Sequence, residues 1–307
     1  MSQKSQKEVN RSKWSVRKWL LRHPKLNPFE IFRFGVFRAL TSSFRVLPDF
    51  IIIGSAKCGT TSLYNYMIQH PDIYQASRKE IHYFDLHRTG WYRSNFPTVF
   101  LKNRTKKNNR PFVTGEATPN YLFFPNVPKE VLEECPNTKF IVLLRNPTDR
   151  AYSHFQHQSR KKLVASREGE RENLSFDEAV KAEEKRLEGE WEKISKDKSY
   201  PTEKFRNRSY LSRGIYVDQL ERWMKYFPKE QFLIIKTEEF NEDSQGILNR
   251  IFNFVGVSEF KVENLKKLNA GKYENMNKTT RKYLVNYFKP HNEKLAKLLD
   301  MDLNWDD

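Results

Sequence analysis

The stretch Asp49 to Leu63, DFIIIGSAKCGTTSL, decides how the rest of the chain is read. A short β-branched run bounded by Pro48 and Gly54 predicts a buried strand over 50–53. It feeds a tight loop of small residues carrying one cation, Lys57, and then a helix that begins near Thr60. Backbone N–H groups at a helix N-terminus, reinforced by the helix dipole, suit a phosphate-like anion. The surrounding sequence then has to say which anion.

Working outward, Lys139 to Leu144 is continuously apolar, as a central parallel strand should be, and it stops at Arg145-Asn146-Pro147. A helix over 149–158 follows, with Thr148 or Asp149 as its N-cap. Shorter strands are predicted over 111–116 and 232–235, and helices over 60–69, 216–227, 244–255 and 279–299, the last broken at Pro290. Strands alternating with helices imply a three-layer α/β fold of the P-loop type, a central parallel sheet flanked by helices. Ligands of such sheets bind beyond the carboxyl ends of the strands, where Lys57 and Arg145 both lie. Lys102 to Arg110 reads as a solvated basic loop, and Tyr92 and Phe96 as packing residues. From about 160 to 208 the chain is strongly charged, with a capping box at Ser175-Phe176-Asp177-Glu178 ahead of a helix over 179–194. That segment reads as an exposed insert in a single domain spanning 48–307.

At 307 residues, 38% hydrophobic and 14% aromatic, the chain can bury a sizeable core. A formal charge of +17 calls for anionic partners without choosing among nucleotide, nucleic acid, acidic polymer and membrane. Two cysteines, Cys58 and Cys135, exclude a disulfide framework and fit a reducing compartment. With no long apolar run and no signal-peptide pattern, the expected location is cytoplasmic. Residues 1–47 form a basic aromatic extension in which Arg17, Lys18, Arg33 and Arg38 alternate with Trp14, Trp19, Phe29 and Phe37. Such a pattern suits peripheral membrane contact, or packing of the apolar residues on the main domain.

A magnesium-dependent nucleotidase loop reads G-x-x-x-x-G-K-[ST]. Gly54 to Gly59 has the spacing, but Thr60 follows where Lys is required, and the loop cation is Lys57. The neighbouring strand ends in Arg145 rather than in an acid that would help hold the metal. An anion held without a metal is the reading left.

Lys57-Cys58-Gly59-Thr60-Thr61-Ser62-Leu63 resembles the 5′-phosphosulfate loop of sulfotransferases that use 3′-phosphoadenosine 5′-phosphosulfate (PAPS). Arg145 through Ser153 resembles their 3′-phosphate motif, and Glu80 to Asp85 the segment carrying the catalytic glutamate of heparan sulfate sulfotransferases. Gly214-Ile215-Tyr216, Trp223, Asn292 and Trp305 recur in prokaryotic relatives. The resemblance implies an enzyme moving a sulfuryl group from PAPS, with no metal, to a hydroxyl or amine of a carbohydrate or glycolipid acceptor, leaving 3′-phosphoadenosine 5′-phosphate. It implies that Lys57 stabilises the leaving oxygen, that Cys58, Gly59, Thr60, Thr61 and Ser62 hold the 5′-phosphate, and that Arg145 and Ser153 bind the 3′-phosphate. Glu80 is the implied general base, with His82 as its rival, and Lys79 and Asp85 in support. Gly271 and Lys272 match part of a Lys-Gly-Arg loop that covers the adenine in relatives. One departure bears on the acceptor: heparan enzymes carry a Lys after the glutamate that corresponds to Glu116, and here that residue is Ala117. The alternatives are an acceptor that is a small non-carbohydrate metabolite, or a basic nucleic-acid-binding protein; the latter lacks any recognised zinc, RNP or helix-turn-helix signature. Oligomeric state is not legible.

Overall fold

The computed structural model describes residues 36–86, 92–160, 171–197, 200–265 and 274–305. The predicted positions Gly271 and Lys272, and most of the N-terminal extension, lie outside the described residues.

In chain order the regular elements are β1 (Phe50–Gly54), α1 (Thr60–Met67), β2 (Ile73–Gln75), α2 (Val99–Lys107), β3 (Val113–Ala117), α3 (Val127–Glu134), β4 (Lys139–Leu144), α4 (Pro147–Ser159), α5 (Phe176–Leu187), α6 (Glu190–Lys196), α7 (Glu203–Arg208), α8 (Tyr216–Met224), β5 (Phe232–Lys236), α9 (Thr237–Glu242), α10 (Ser244–Val255) and α11 (Lys278–Leu299). The five strands form one parallel sheet in the order β2-β3-β1-β4-β5. The chain leaves β1 toward one edge and returns on its other side at β4, so β1 is where the winding reverses. Crevices for ligands open at the carboxyl ends of strands at such a point.

The continuous apolar runs are explained by two cores, one on each face. Ile51 and Ile53 join Phe140, Val142 and Leu144 in one cluster. Phe50 and Ile52 join Ile141 and Leu143 in the other. Side chains of a strand alternate between faces, so a sheet covered on both sides must be apolar at every position.

Several predicted features differ. The 102–110 loop is in fact the second half of α2 and the residues that end it. The Thr98 hydroxyl caps that helix by accepting from the Leu101 N–H, and Arg104, Lys106 and Lys107 sit in its last turn, complementing the negative end of the helix dipole. The N-cap of α4 is Asn146, whose side chain accepts from the Thr148 N–H, which moves the start of the helix to Pro147. Helix α11 runs through Pro290 without ending. Leu284, Phe288, Asn292 and Leu295 bury one side of it, and this packing offsets the hydrogen bond that proline removes.

The charged insert has the predicted capping box, but its helix breaks at Gly189, and the segment is not merely exposed. Phe176, Ala179 and Val180 pack with Ala151 and Phe155 of α4 and with Leu284 and Phe288 of α11. The insert is tied down by buried carboxylates. Glu183 accepts from the N–H groups of Tyr210 (2.6 Å), Leu211 (2.6 Å) and Ser212 (2.8 Å). Glu172 meets Arg186 at 2.8 Å and accepts from the Tyr210 hydroxyl at 2.9 Å. A charge-rich sequence thus hides polar packing that hydropathy does not register.

Candidate active site

The loop after β1 turns tightly because Lys57 and Gly59 both adopt positive φ, 73° and 88°. Gly59 is the N-cap of α1 and no side chain caps that end, so the N–H groups of the first turn have no partner within the helix. Thr60 and Ser62 are buried in that turn. Cys58 serves the shape of the loop: its N–H donates to Ser55 O at 3.2 Å, its carbonyl accepts from the Thr237 hydroxyl at 2.9 Å, and its thiol is buried 3.9 Å from the Tyr216 hydroxyl. Gly54, at the end of β1, is pressed against Leu122; a Cβ there would come within 2.6 Å of that side chain.

Arg145 directly follows β4, the strand hydrogen-bonded to β1, and its carbonyl accepts from the Tyr216 hydroxyl at 2.9 Å. The side chains of Lys57 and Arg145 make no hydrogen bond or ion pair among the described residues. Burial, and then the nearby Arg145, lower the Lys57 pKa. The attraction of Glu80 offsets these effects only in part, and two neighbouring cations beside an uncapped helix start are arranged for a shared anion. Ser153 lies buried on α4 with Arg150 and His154.

The segment from Ser77 to Asp85 brings the acid–base residues to the same end of the sheet. Its anchors are the Ser77 N–H to Asn95 O (2.8 Å), the Glu80 N–H to Ala117 O (3.0 Å) and the Tyr83 N–H to the Tyr121 hydroxyl (2.9 Å). The end of β3 therefore positions Glu80. Asp85, fully buried, holds Nδ1 of His82 at 2.8 Å, and Nε2 of His82 faces the Glu80 carboxylate at 3.7 Å. Lys79 pairs with Glu80 at 2.5 Å. His82, its own burial notwithstanding, and Lys79 pull the Glu80 pKa down to about 2. For His82, burial works downward, but the hydrogen bonds to Asp85 and Glu80 outweigh it and leave the pKa raised.

Backbone conformation singles out the same residues. Seven described residues other than glycine have positive φ; four are Asn or Asp, which tolerate that region, and the other three are Lys57, Glu80 and His82. Strained backbone held in place by its surroundings gathers at functional sites. Nothing in sequence spacing announces this.

Sequence reading also missed a group of cations packed around the site. Arg150 is fully buried, donates to the Tyr210 carbonyl, and its Nε and Nη1 have no partner among the described residues. Arg213 is buried too, with its guanidinium 4.5 Å above the Phe123 ring and a 3.0 Å hydrogen bond to the Asn120 side-chain oxygen. Burial, then Arg150 and Arg206, lower its pKa to about 9. Burial, then Arg150 and Arg213, push His154 well below the ordinary histidine value. Arg150 lies on α4 and Arg213 just past the insert, and local sequence at either position gives no sign of burial. Glu116 is buried, accepts from the Tyr92 and Thr118 hydroxyls at 2.6 Å each, and is pushed up to about 6 by burial. Among the described residues, no group of three His, Cys, Asp or Glu is placed to hold a metal ion.

The chain is similar to known proteins. The sulfotransferase domain family matches residues 47–297. The membrane-associated sulfotransferase kil1 of Dictyostelium discoideum is 28% identical over 84% of this chain and 66% of its own length. The human bifunctional heparan sulfate N-deacetylase/N-sulfotransferase 3 is 29% identical over 82% of this chain but only 30% of its own length. The chain thus spans less than two thirds of these curated relatives. The crystal structure of a sulfotransferase from Alicyclobacillus acidocaldarius superposes with a TM-score of 0.64 at 30% identity, covering 85% of this chain and 100% of that one. These relatives lend the cytoplasmic expectation no support, one of them being membrane-associated by name. No helix among the described residues is long and apolar enough to cross a membrane. With the family model spanning residues 47–297, the chain belongs to the sulfotransferase family.

Proposed function

We propose that this protein transfers a sulfuryl group from PAPS to a hydroxyl, or an amine, of a carbohydrate or glycolipid acceptor. The observation that carries the reading is the convergence of Lys57 and Arg145 just beyond the ends of adjacent parallel strands, with an uncapped helix start beside them.

The residues present fit PAPS. Gly59, Thr60, Thr61 and Ser62 would hold the 5′-phosphate with main-chain N–H groups and hydroxyls. Arg145, with Ser153, would hold the 3′-phosphate. PAPS supplies an activated sulfuryl group whose departure leaves negative charge on the nucleotide's 5′-phosphate. Lys57, fixed in its left-handed turn, meets that charge as it develops, and a preorganised cation in a partly dry site is worth far more than one in water. Neither role asks for a metal.

Glu80, His82 and Asp85 form one acid–base unit. Asp85 fixes His82 with Nδ1 toward the buried carboxylate, which leaves Nε2 facing Glu80. The acceptor proton passes to Glu80, and His82 shares the charge. Two ionisable groups this close titrate as a pair. A carbohydrate or glycolipid acceptor is supported by the heparan sulfate enzymes among the relatives.

The test has two arms. Calorimetry with 3′-phosphoadenosine 5′-phosphate should show binding that ATP does not reproduce, and Arg145→Ala should abolish it; equal affinity in the variant would remove Arg145 from the site. Transfer from ³⁵S-labelled PAPS against a panel of glycans, glycolipids and small phenols then reads the acceptor class. Label appearing only on the phenols would overturn the carbohydrate reading.

A further inference from the structure

The chain carries a two-part apolar and basic face built from residues that have no assigned role in the sulfuryl site. Residues 36–40 form a helical turn and Ser42–Phe44 a 3₁₀ turn, and together they present Phe37 (60% exposed), Leu40 (73%) and Phe44 (70%) to solvent. Helix α2 presents Phe100 (75%) and Val99 beside them. An antiparallel bridge between Arg45 and Thr98, and the Val46 N–H to Pro97 O bond, set Phe44 next to the start of α2. Of the nine exposed large hydrophobic residues among those described, six lie on these two short segments. Scattered exposed apolar residues need no explanation, but a cluster does.

The cluster is held, not dangling. Arg38 donates to Ser94 O (2.6 Å) and Phe96 O (3.2 Å), and Arg45 donates to Phe96 O at 2.7 Å. Those guanidinium groups point inward and leave the aromatic rings outward. The face's own two segments carry charge of one sign, and the acids that approach them are each paired with a cation, Asp49 with Lys102 at 3.9 Å and Glu134 with Arg93 at 4.0 Å. No Asp or Glu occurs between Glu30 and Asp49, or between Asp85 and Glu116, and Arg104, Lys106 and Lys107 are exposed at the end of α2.

We propose that the face built by residues 36–44 and α2 docks this protein on an anionic lipid bilayer. Aromatic and aliphatic side chains entering the acyl boundary, with basic residues at the headgroup level, are what a bilayer surface selects. A polyanion such as heparin would use the cations and gain little from four large exposed apolar side chains, so the lipid is the occupant the face fits. The orientation also has a consequence. Asn95, in the turn that receives Arg38, accepts from the Ser77 N–H, at the start of the segment carrying Glu80 and His82. Docking would therefore set that segment close to the membrane surface.

The experiment is co-sedimentation of the full chain with vesicles, without donor or acceptor, so its outcome does not depend on the proposed transfer activity. Binding is expected to vesicles of phosphatidylcholine with phosphatidylserine, and little to phosphatidylcholine alone. The exposed-residue variant Phe44→Ser with Phe100→Ser should bind roughly tenfold or more weakly, since two aromatic rings no longer enter the lipid. Lys106→Glu with Lys107→Glu should lose roughly as much on anionic vesicles and flatten the salt dependence. If the chain does not sediment with anionic vesicles, the proposal fails. If only the lysine variant loses binding, the contact is that of a polyanion site and the proposal fails. If the phenylalanine variant changes the mass in analytical ultracentrifugation, a second copy covers the face and the proposal fails.

Discussion

Lys57, Glu80 and His82 are neighbours in a way that each side chain's own chemistry would not predict. An isolated glutamate titrates near 4.3 and an isolated histidine near 6.5. Here Glu80 is held at about 2 by His82 and Lys79, while His82 is raised by Asp85 and Glu80 against the cost of burial. The sign follows from the direction. A raised histidine pKa contributes stability fully present below 6.5 that is lost as pH rises through the folded value; the depressed Glu80 contributes stability that is lost as pH falls toward 2. For catalysis the pair must accept a proton, so the acid limb of the rate profile should lie above the ordinary histidine value. In Glu80→Gln the limb should move to lower pH, because one partner that raises His82 is gone while burial remains. The same variant should lose roughly 10²–10⁴-fold in turnover and keep its affinity for 3′-phosphoadenosine 5′-phosphate. A limb that stays in place would separate His82 from Glu80, and full activity would take the base role away from Glu80.

Among the elements, the insert changes most between sequence and structure. Glu183 on α5 ties down the backbone of Tyr210, Leu211 and Ser212, and the next residue is the buried Arg213. Removing the carboxylate in Glu183→Ala strands three N–H groups that are otherwise paired. Leaving a buried donor unpaired costs about 1–3 kcal/mol, so the loss in a denaturant titration should be about 3 kcal/mol or more. A loss under about 1 kcal/mol would mean that water replaces the carboxylate and that the insert is peripheral to stability. Glu183→Gln keeps one acceptor and should recover part of it. Helix α2 makes the opposite point: its N-cap Thr98 was present in the sequence, but the run of Lys, Arg and Asn after it masked the signal.

For the whole molecule, the anion site and the fold are thermodynamically linked. A ligand at 100 times its Kd stabilises the state that binds it by about 2.7 kcal/mol. 3′-Phosphoadenosine 5′-phosphate at that excess should raise Tm by several degrees, and an equal concentration of ADP, which lacks the 3′-phosphate, should raise it less. Equal shifts would leave Arg145 and Ser153 without their proposed role. The sequence alone determined the four inner and far-edge strands but not β2: β1 and β4 had to be continuous apolar runs because both faces are covered, and chain order placed Lys57 and Arg145 beyond the carboxyl ends of strands. It also excluded the magnesium nucleotidase, because the residue after Gly59 is Thr60 and β4 is followed by a cation. Only the tertiary structure decided that Asp85 is the fully buried partner of His82, that Ala117 O holds Glu80, and that Arg150, His154 and Arg213 lie buried around the site. Those facts depend on contacts between segments far apart in sequence, and on left-handed backbone at Lys57, Glu80 and His82 that the surrounding packing imposes. Local propensity and spacing carry no record of either.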